Sequence, residues 1–381
     1  MIRFRIPLGR LARQYHHQAP PQRFDILYFG RDEFSCRVFE ELYSATDVWQ
    51  NLLIATQPDQ MIGRKREVLS VSPLKTLGHK LNLPVTTIPH VRSELKTWTP
   101  PSPFYPLAGT LPPSNHLLLT ASFGRILPVS LLSLFRPTHT LNVHPSALPA
   151  YRGPAPIQRA ILNGERDTAV CIIEMKRQGG IDAGDILGRV PIPIPPSTAY
   201  GPLRDTLAQK GGELLVSVLR SVLRGTDKRV PQNPLTPTTP HAPFIIPSDS
   251  QPNFARETAE DVVRRHLALS HHKPLTTYFP AATRTVQIHD PSVFAPSNAN
   301  TGNGIDAQTV VGSQPGSARY HGRLRSILVR CAQGSVLCVP TLKSEFRSLV
   351  PAKSWWVGIQ PHLKEPDGSI LFTNTPPSHS A

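Results

Sequence analysis

Short apolar runs recurring along the first 225 residues limit the fold more than any other feature. They are "FDILYFG" (24–30), "NLLIAT" (51–56), "PVTTIP" (84–89), "HLLLTAS" (116–122), "TLNV" (140–143), "AVCIIEM" (169–175) and "ILGRVPI" (186–192). Runs of this length bounded by turn residues read as buried strands. Helical patterns lie between several of them. Phe34, Val38, Phe39 and Leu42 fall on one face of a helix over 32–44. Ser72-Pro73 opens another as N-cap and first turn, with Leu74, Leu77 and Leu81 inward. A longer helix runs from about 199 to 224 and stops at Gly225. Strands alternating with helices specify an α/β domain with a doubly wound, mostly parallel sheet. Its functional loops belong at the carboxyl ends of the strands. "YFGRDEF" after the first strand holds one Gly, so the dinucleotide fingerprint is absent. "QPDQMIGRKREVLSVS" (57–72) reads as a long polar loop, and 96–115, rich in Pro and Ser, as an inserted one.

The rest of the 381 residues is organised differently. Residues 23–228 form the α/β domain, and 229–255 are a stiff Pro-rich linker laid along a surface. "TAEDVVRRHLALS" starts a helix with Thr258 as N-cap and Asp261 three residues on, a capping-box variant. "TTYF", "RTVQIHD", "GRLRSILVRC" and "SVLCVP" follow as short strands of a small β-barrel over 256–363. Residues 291–317 read as a disordered insertion and 364–381 as a tail.

Formal charge is +15, which favours a polyanionic partner, nucleic acid first. The cysteines at 36, 171, 331 and 338 form no CxxC pair, so neither a disulfide framework nor a zinc site is expected. No apolar run approaches the roughly 18 residues of a membrane span. The first 22 residues carry Arg3, Arg5, Arg10 and Arg13 and no acid, with Phe4, Leu8, Leu11 and Tyr15 at helical spacing. That pattern reads as a mitochondrial targeting segment, and a chain carrying it is expected in the matrix.

"LNVHPSALPAYRGPAPIQRAILNG" (141–164) opens like a strand and closes like a short helix. Asn142 and His144 are two apart on a strand, so their side chains share a face at its carboxyl end. An Asn amide polarises a carbonyl, and a His accepts a proton or steadies an oxyanion, which suits acyl transfer. Such a His needs an orienting carboxylate, and "GGIDAGDIL" offers Asp182 and Asp185.

Together, "NVHPSALPAYRGPAPIQRAILNG", "GGIDAGDIL", "ASFGRILP" (121–128) and "TQPD…GR…SPLK" (56–75) resemble the formyltransferases that use 10-formyltetrahydrofolate, and among them the branch acting on methionyl-tRNA. The resemblance implies a catalytic trio of Asn142, His144 and Asp182. It implies a folate-side loop of Phe123, Gly124, Arg125, Ile126 and Leu127, together with Asp182. It implies a substrate loop shaped by Ser146, Leu148, Pro149, Tyr151, Arg152 and Gly153. The co-substrate would be 10-formyltetrahydrofolate and the acceptor the amine of methionyl initiator tRNA, with no metal. Separately from the resemblance, a monomer is expected. Arg64, Lys65 and Arg66 would meet the acceptor stem. Arg323, Arg325, Arg330 and Lys343 of the barrel would meet phosphates. Two alternatives use the same core: a formyltransferase for a small amine such as glycinamide ribonucleotide, and a non-catalytic RNA-binding relative.

Overall fold

In a computed structural model, residues 22–63, 67–105, 110–176, 180–294 and 312–374 are described. Residues 1–21, where the targeting segment is expected, Arg64–Arg66, most of the 291–317 insertion and the end of the tail lie outside them.

The first unit runs β1 (Phe24–Phe29), α1 (Glu33–Ser44), β2 (Trp49–Thr56), β3 (Gln60–Ile62), β4 (Val68–Ser70), α2 (Pro73–Lys80), β5 (Val85–Thr87), β6 (His116–Ala121), α3 (Val129–Leu132), β7 (Thr140–His144), α4 (Pro156–Leu162), β8 (Asp167–Glu174), β9 (Ile186–Pro193) and α5 (Tyr200–Leu223). Its seven-stranded sheet has the order β5-β2-β1-β6-β7-β8-β9. The five strands from β5 to β7 are parallel, whereas β8 and β9 are antiparallel to their neighbours. Each face of the sheet carries its own core. Ile26 and Tyr28 of β1 face α1 and α5 with Val38, Phe39, Leu207 and Leu215. Leu27 and Phe29 face the other layer with Phe123, Leu131 and Phe135. A strand covered on both sides is apolar at nearly every position; β1 departs from this only at Asp25, buried where the Asn51 and Asn115 amides donate to its carboxylate.

Two loop readings change. The 57–72 segment folds back as the hairpin β3–β4, with Met61, Ile62, Val68 and Leu69 exposed. Three-residue strands without a buried face leave no alternation to detect. The 96–115 insertion is pinned by Phe104, which is buried against Phe135. Ser72 stands at the N-cap of α2, but its hydroxyl bonds the Thr56 hydroxyl and the Arg31 carbonyl instead of capping.

The second unit contains α6 (Ala259–Leu269), β10 (Leu275–Phe279), β11 (Arg284–His289), β12 (Ser292–Val293), β13 (Ser317–His321), β14 (Ser326–Arg330), β15 (Val336–Val339), β16 (Thr341–Ser344), β17 (Val350–Pro351), α7 (Ala352–Val357) and β18 (Ile370–Leu371). Two antiparallel sheets, β10-β11-β16-β17 and β12-β15-β14-β13-β18, enclose Phe279, Trp355 and Phe372. Thr258 and Asp261 form the reciprocal capping box expected at α6. The Arg264 guanidinium donates to the Leu162 carbonyl of α4 at 3.1 Å, and His271 stacks on Tyr200 at 3.6 Å, tying the two units together.

At the head of α1, Asp32 caps the helix through Ser35 N–H at 3.2 Å and accepts the Ser122 hydroxyl. Burial raises its carboxyl above the ordinary value. The folded chain therefore holds this proton more tightly than the unfolded chain, and the group's effect on stability worsens as pH rises above about 4. Asn caps as well as Asp and carries no charge. Asp32→Asn should leave the melting temperature at pH 7 equal to or above that of the parent and flatten its fall between pH 4 and 7. Asp32→Ala should lose about 1 kcal/mol with the cap. Calorimetry across that pH range separates the two.

Candidate active site

The carboxyl end of β7 delivers Asn142 and His144 to one point, as strand alternation requires. Thr120 of β6 is the register partner of Asn142, and its hydroxyl donates to Asn142 Oδ1 at 2.7 Å. The amide oxygen is thereby occupied, and Nδ2 faces the site. Nδ2 lies 3.4 Å from Asp182 Oδ1. His144 is buried, with Nε2 3.0 Å from the Tyr151 carbonyl. A carbonyl only accepts, so Nε2 carries the hydrogen. That assignment leaves Nδ1 facing Asp182 Oδ2 at 3.6 Å. In the neutral ring, a lone pair and a carboxylate oxygen oppose each other across this gap. A donor N–H entering between them relieves the conflict.

Asp182 is fixed from several directions. Gly153 N–H donates to Oδ2 at 3.0 Å. The Gln232 amide donates to the Asp182 carbonyl at 2.7 Å and to the Gly184 carbonyl at 2.8 Å. Arg152 in turn donates to Gln232 Oε1 at 3.0 and 2.6 Å. The ring Asp182–Gly153–Arg152–Gln232 holds the aspartate at φ +53°, a left-handed conformation that costs energy and persists where surroundings enforce it. Asp185, the other acid in its loop, pairs instead with Lys176 at 2.8 Å.

The Pro-rich segment supplies Gln232 and more. Val230 pairs with Ile186 of β9 through two backbone bonds, and the Pro240 and Ala242 backbones bond to Tyr151, Arg152 and Ala155. Arg159 of α4 holds Asp249 in a bidentate pair at 2.8 Å. The segment straps the catalytic loop down. Thr120 and Gln232 were not singled out in the sequence. Parallel pairing with the Asn142 strand could have indicated Thr120; nothing local marks Gln232.

Within the loop, Ser146 and Leu148 are buried. The Ser146 hydroxyl bonds the Ala150 carbonyl, and Leu148 packs on Cys171 and Ile173, so both shape the loop from beneath. Pro149 follows Leu148 in the same turn, and Tyr151 donates to Glu165 at 2.5 Å. On the folate side, Phe123 and Leu127 are buried in the core, and Gln57 donates to the Phe123 carbonyl at 3.0 Å. Arg125 bonds the Pro89 and His90 carbonyls at 2.9 and 3.3 Å. Gly124 adopts φ +75°, and a Cβ there would strike the Arg31 guanidinium at 2.8 Å. Ile126 is 75% exposed and offers an apolar side chain to solvent.

The barrel residues separate. Arg323 and Arg325 are exposed on the turn between β13 and β14, and Lys343 lies partly exposed on β16. Arg330, expected at the RNA surface, is 6% exposed, and its guanidinium bonds the Gly312 and Gly334 carbonyls. Its position on a core-facing strand turns it into an internal brace.

With this geometry in place, comparison with known proteins becomes informative. Residues 23–219 match the formyl transferase family. The chain belongs to that family. A curated relative from Macrococcus caseolyticus (strain JCSC5402), named methionyl-tRNA formyltransferase, is 38% identical over 208 residues, 55% of this chain and 62% of its own. One of the same name from Staphylococcus aureus (strain JH1) is 36% identical over 55% of this chain and 61% of its own. The match thus spans about three-fifths of each relative's length. Among solved structures, WlaRD, a sugar 3N-formyl transferase determined with dTDP and 5-N-formyl-THF, superposes with a TM-score of 0.54 at 13% identity, over 86% of this chain and 100% of its own. An N-formyltransferase from Helicobacter canadensis superposes with a TM-score of 0.53 at 14% identity, over 83% of this chain and 98% of its own. Identities this low establish the shared fold.

Gly153 tests how tightly the site is built. Its φ is +121°, and an added Cβ would lie 2.6 Å from the Ala242 carbonyl oxygen. Gly153→Ala should destabilise the chain by more than about 1 kcal/mol. Hydrogen exchange should show the loss concentrated in 150–155, 180–186 and 240–242. An exchange pattern unchanged there would mean that the strap does not bear on the loop.

Proposed function

We propose that this chain transfers the formyl group of 10-formyltetrahydrofolate to the α-amino group of methionyl initiator tRNA. The observation that carries this reading is the convergence of an oriented amide donor, Asn142 Nδ2, with the opposed acceptors His144 Nδ1 and Asp182 Oδ2. A neutral amine presents an N–H to those acceptors while its lone pair attacks the formyl carbon. The formyl oxygen gains charge as the tetrahedral centre forms, and Asn142 Nδ2 stabilises it. His144 Nδ1 receives the amine proton. The resulting imidazolium is held at both ends, by the Tyr151 carbonyl and the Asp182 carboxylate. Release of that proton to N10 of the departing tetrahydrofolate breaks the C–N bond and resets the site. No covalent enzyme intermediate is required.

Support for the folate side comes from the 122–127 loop beside β7, where Ile126 offers an apolar face to a flat ring. Support for tRNA comes from the curated relatives' name, the net charge of +15 and the basic, exposed turn at Arg323 and Arg325. Arg64, Lys65 and Arg66 would meet the acceptor stem. The acid-free first 22 residues supply the import signal of a chain that works in mitochondrial translation initiation.

The direct test is formylation of charged initiator tRNA by the purified chain, with glycinamide ribonucleotide as the competing acceptor. Rapid formylation of the nucleotide and none of the tRNA would overturn the acceptor assignment. His144→Ala should lower kcat by about 10²–10⁴-fold and leave tRNA binding nearly intact. Gln232→Ala should lower kcat by about tenfold to a hundredfold through misplacement of Asp182. Its KM values and melting temperature should change little. A kcat loss for Gln232→Ala that merely follows a loss of folded protein would assign Gln232 a structural role alone.

A further inference from the structure

The second unit carries a groove remote in sequence from every residue of the formyl-transfer site. Thr285 and Gln287 of β11, Lys343 and Ser344 of β16, and the turn through Glu345, Phe346 and Arg347 line it. Its volume is about 480 Å³, within the range of ligand sites. Gln287 and Lys343 are register partners, so they share the face opposite Ile288 and Leu342, which fill the core.

Phe346 is the unusual member. It is 88% exposed, more than any other described aromatic residue. Its φ is +58°, a left-handed conformation that a bulky side chain rarely adopts. The turn is anchored from below, where Trp355 Nε1 donates to Ser344 Oγ at 2.9 Å and Glu345 N–H donates to the Thr285 carbonyl at 2.9 Å. A fixed turn therefore holds a phenyl ring out in water. Lys343 and Arg347 line the same groove, and neither side chain has a hydrogen bond or ion pair among the described residues. Glu345 is the one acid in the lining.

A solvent-facing ring between two uncommitted cations matches one ligand chemistry well. A nucleobase has a flat π-face to stack, and its flanking phosphates carry the complementary charge. We propose that this groove is a single-stranded RNA subsite. One unpaired base stacks on Phe346, Lys343 and Arg347 take the adjacent phosphates, and Thr285 and Gln287 face the base edge. The assignment rests on the reading of RNA as acceptor and adds to it a contact that is not purely electrostatic. Stacking of this kind tolerates any base and adds to the salt-dependent phosphate term.

The test uses the full chain and fluorescein-labelled octaadenylate, with binding read by anisotropy. Phe346→Ala and Phe346→Leu should each weaken binding by about tenfold, because leucine keeps apolar bulk but has no π-face. Phe346→Trp should retain affinity and add an emission quenched by the RNA. Lys343→Ala with Arg347→Ala should lower the salt slope by about 1.4, two single-strand phosphate contacts. Phe346 is exposed, so melting temperatures should be equal to or above the parent's, and this is checked for each variant. Leucine binding as well as phenylalanine would overturn the stacking. An unchanged salt slope in the double variant would overturn the phosphate contacts, and failure of the parent to bind octaadenylate would overturn the subsite. The two readings fail separately. A parent that formylates methionyl-tRNA, with Phe346→Ala unchanged in octamer affinity and tRNA KM, removes the groove and leaves the activity. A parent that does not formylate methionyl-tRNA, but whose octamer binding still depends on Phe346, keeps the groove and removes the acceptor assignment.

Discussion

The Asp182 carboxylate is the point on which the site depends. Gly153 N–H, Asn142 Nδ2 and His144 Nδ1 all converge on its two oxygens. None of the three shares a local segment with it. Asn142 and His144 come from β7, Gly153 from the loop beyond, and Asp182 from the loop after β8. A carboxylate that takes two donors, Gly153 N–H and Asn142 Nδ2, and faces an imidazole nitrogen from a further position fixes the relative placement of separate elements. It also sets a condition on catalysis. The aspartate must be held hard enough to orient the imidazole, yet stay 3.6 Å from it so that a substrate proton can enter.

That condition explains the Pro-rich segment. A chain crossing from one folded unit to another needs no hydrogen bonds to the first. This one makes backbone bonds to Ile186, Tyr151, Arg152 and Ala155, and its Gln232 amide spends both donors and its acceptor on the Asp182 loop and Arg152. Prolines lower the entropy lost in laying such a strap down. Any displacement of the second unit that pulls on residues 229–255 pulls on Asp182 as well. Residues 229–255 thus connect the second unit mechanically to Asp182, alongside the Arg264–Leu162 and His271–Tyr200 contacts.

Much of this was legible in the sequence, for identifiable reasons. The five inner strands of the main sheet were marked by apolar runs because burial leaves little room for polar residues, and the partly exposed edge strands β5 and β9 were marked by apolar runs as well. Asn142 and His144 declared themselves through strand alternation. The strand-free reading of 57–72 failed because β3 and β4 bury nothing. Thr120 was passed over because a single hydroxyl in "HLLLTA" reads as an ordinary strand residue, and only the parallel register opposite Asn142 gives it a role. Gln232 was invisible because its partners lie 48 to 80 residues away. Arg330 was misplaced because charge counts do not distinguish a guanidinium in solvent from one satisfied by carbonyls at the end of a core strand.

The contrast between Arg330 and Lys343 shows how the net charge of +15 should be used. Net charge states that cations outnumber acids; it does not say which cations are available. Arg159 is committed to Asp249, Arg152 to Gln232, Arg220 to Asp47 and Arg264 to Asp261. Each of these holds part of the protein to another part and has little left for a phosphate. Lys343 and Arg347 lack such commitments, and they flank the one aromatic side chain that the fold leaves most exposed. A polyanion approaching the described surface is therefore oriented by where the uncommitted cations stand, Lys343 and Arg347 among them. Phe346 lies among them, so shape as well as charge can guide a ligand of the proposed kind there.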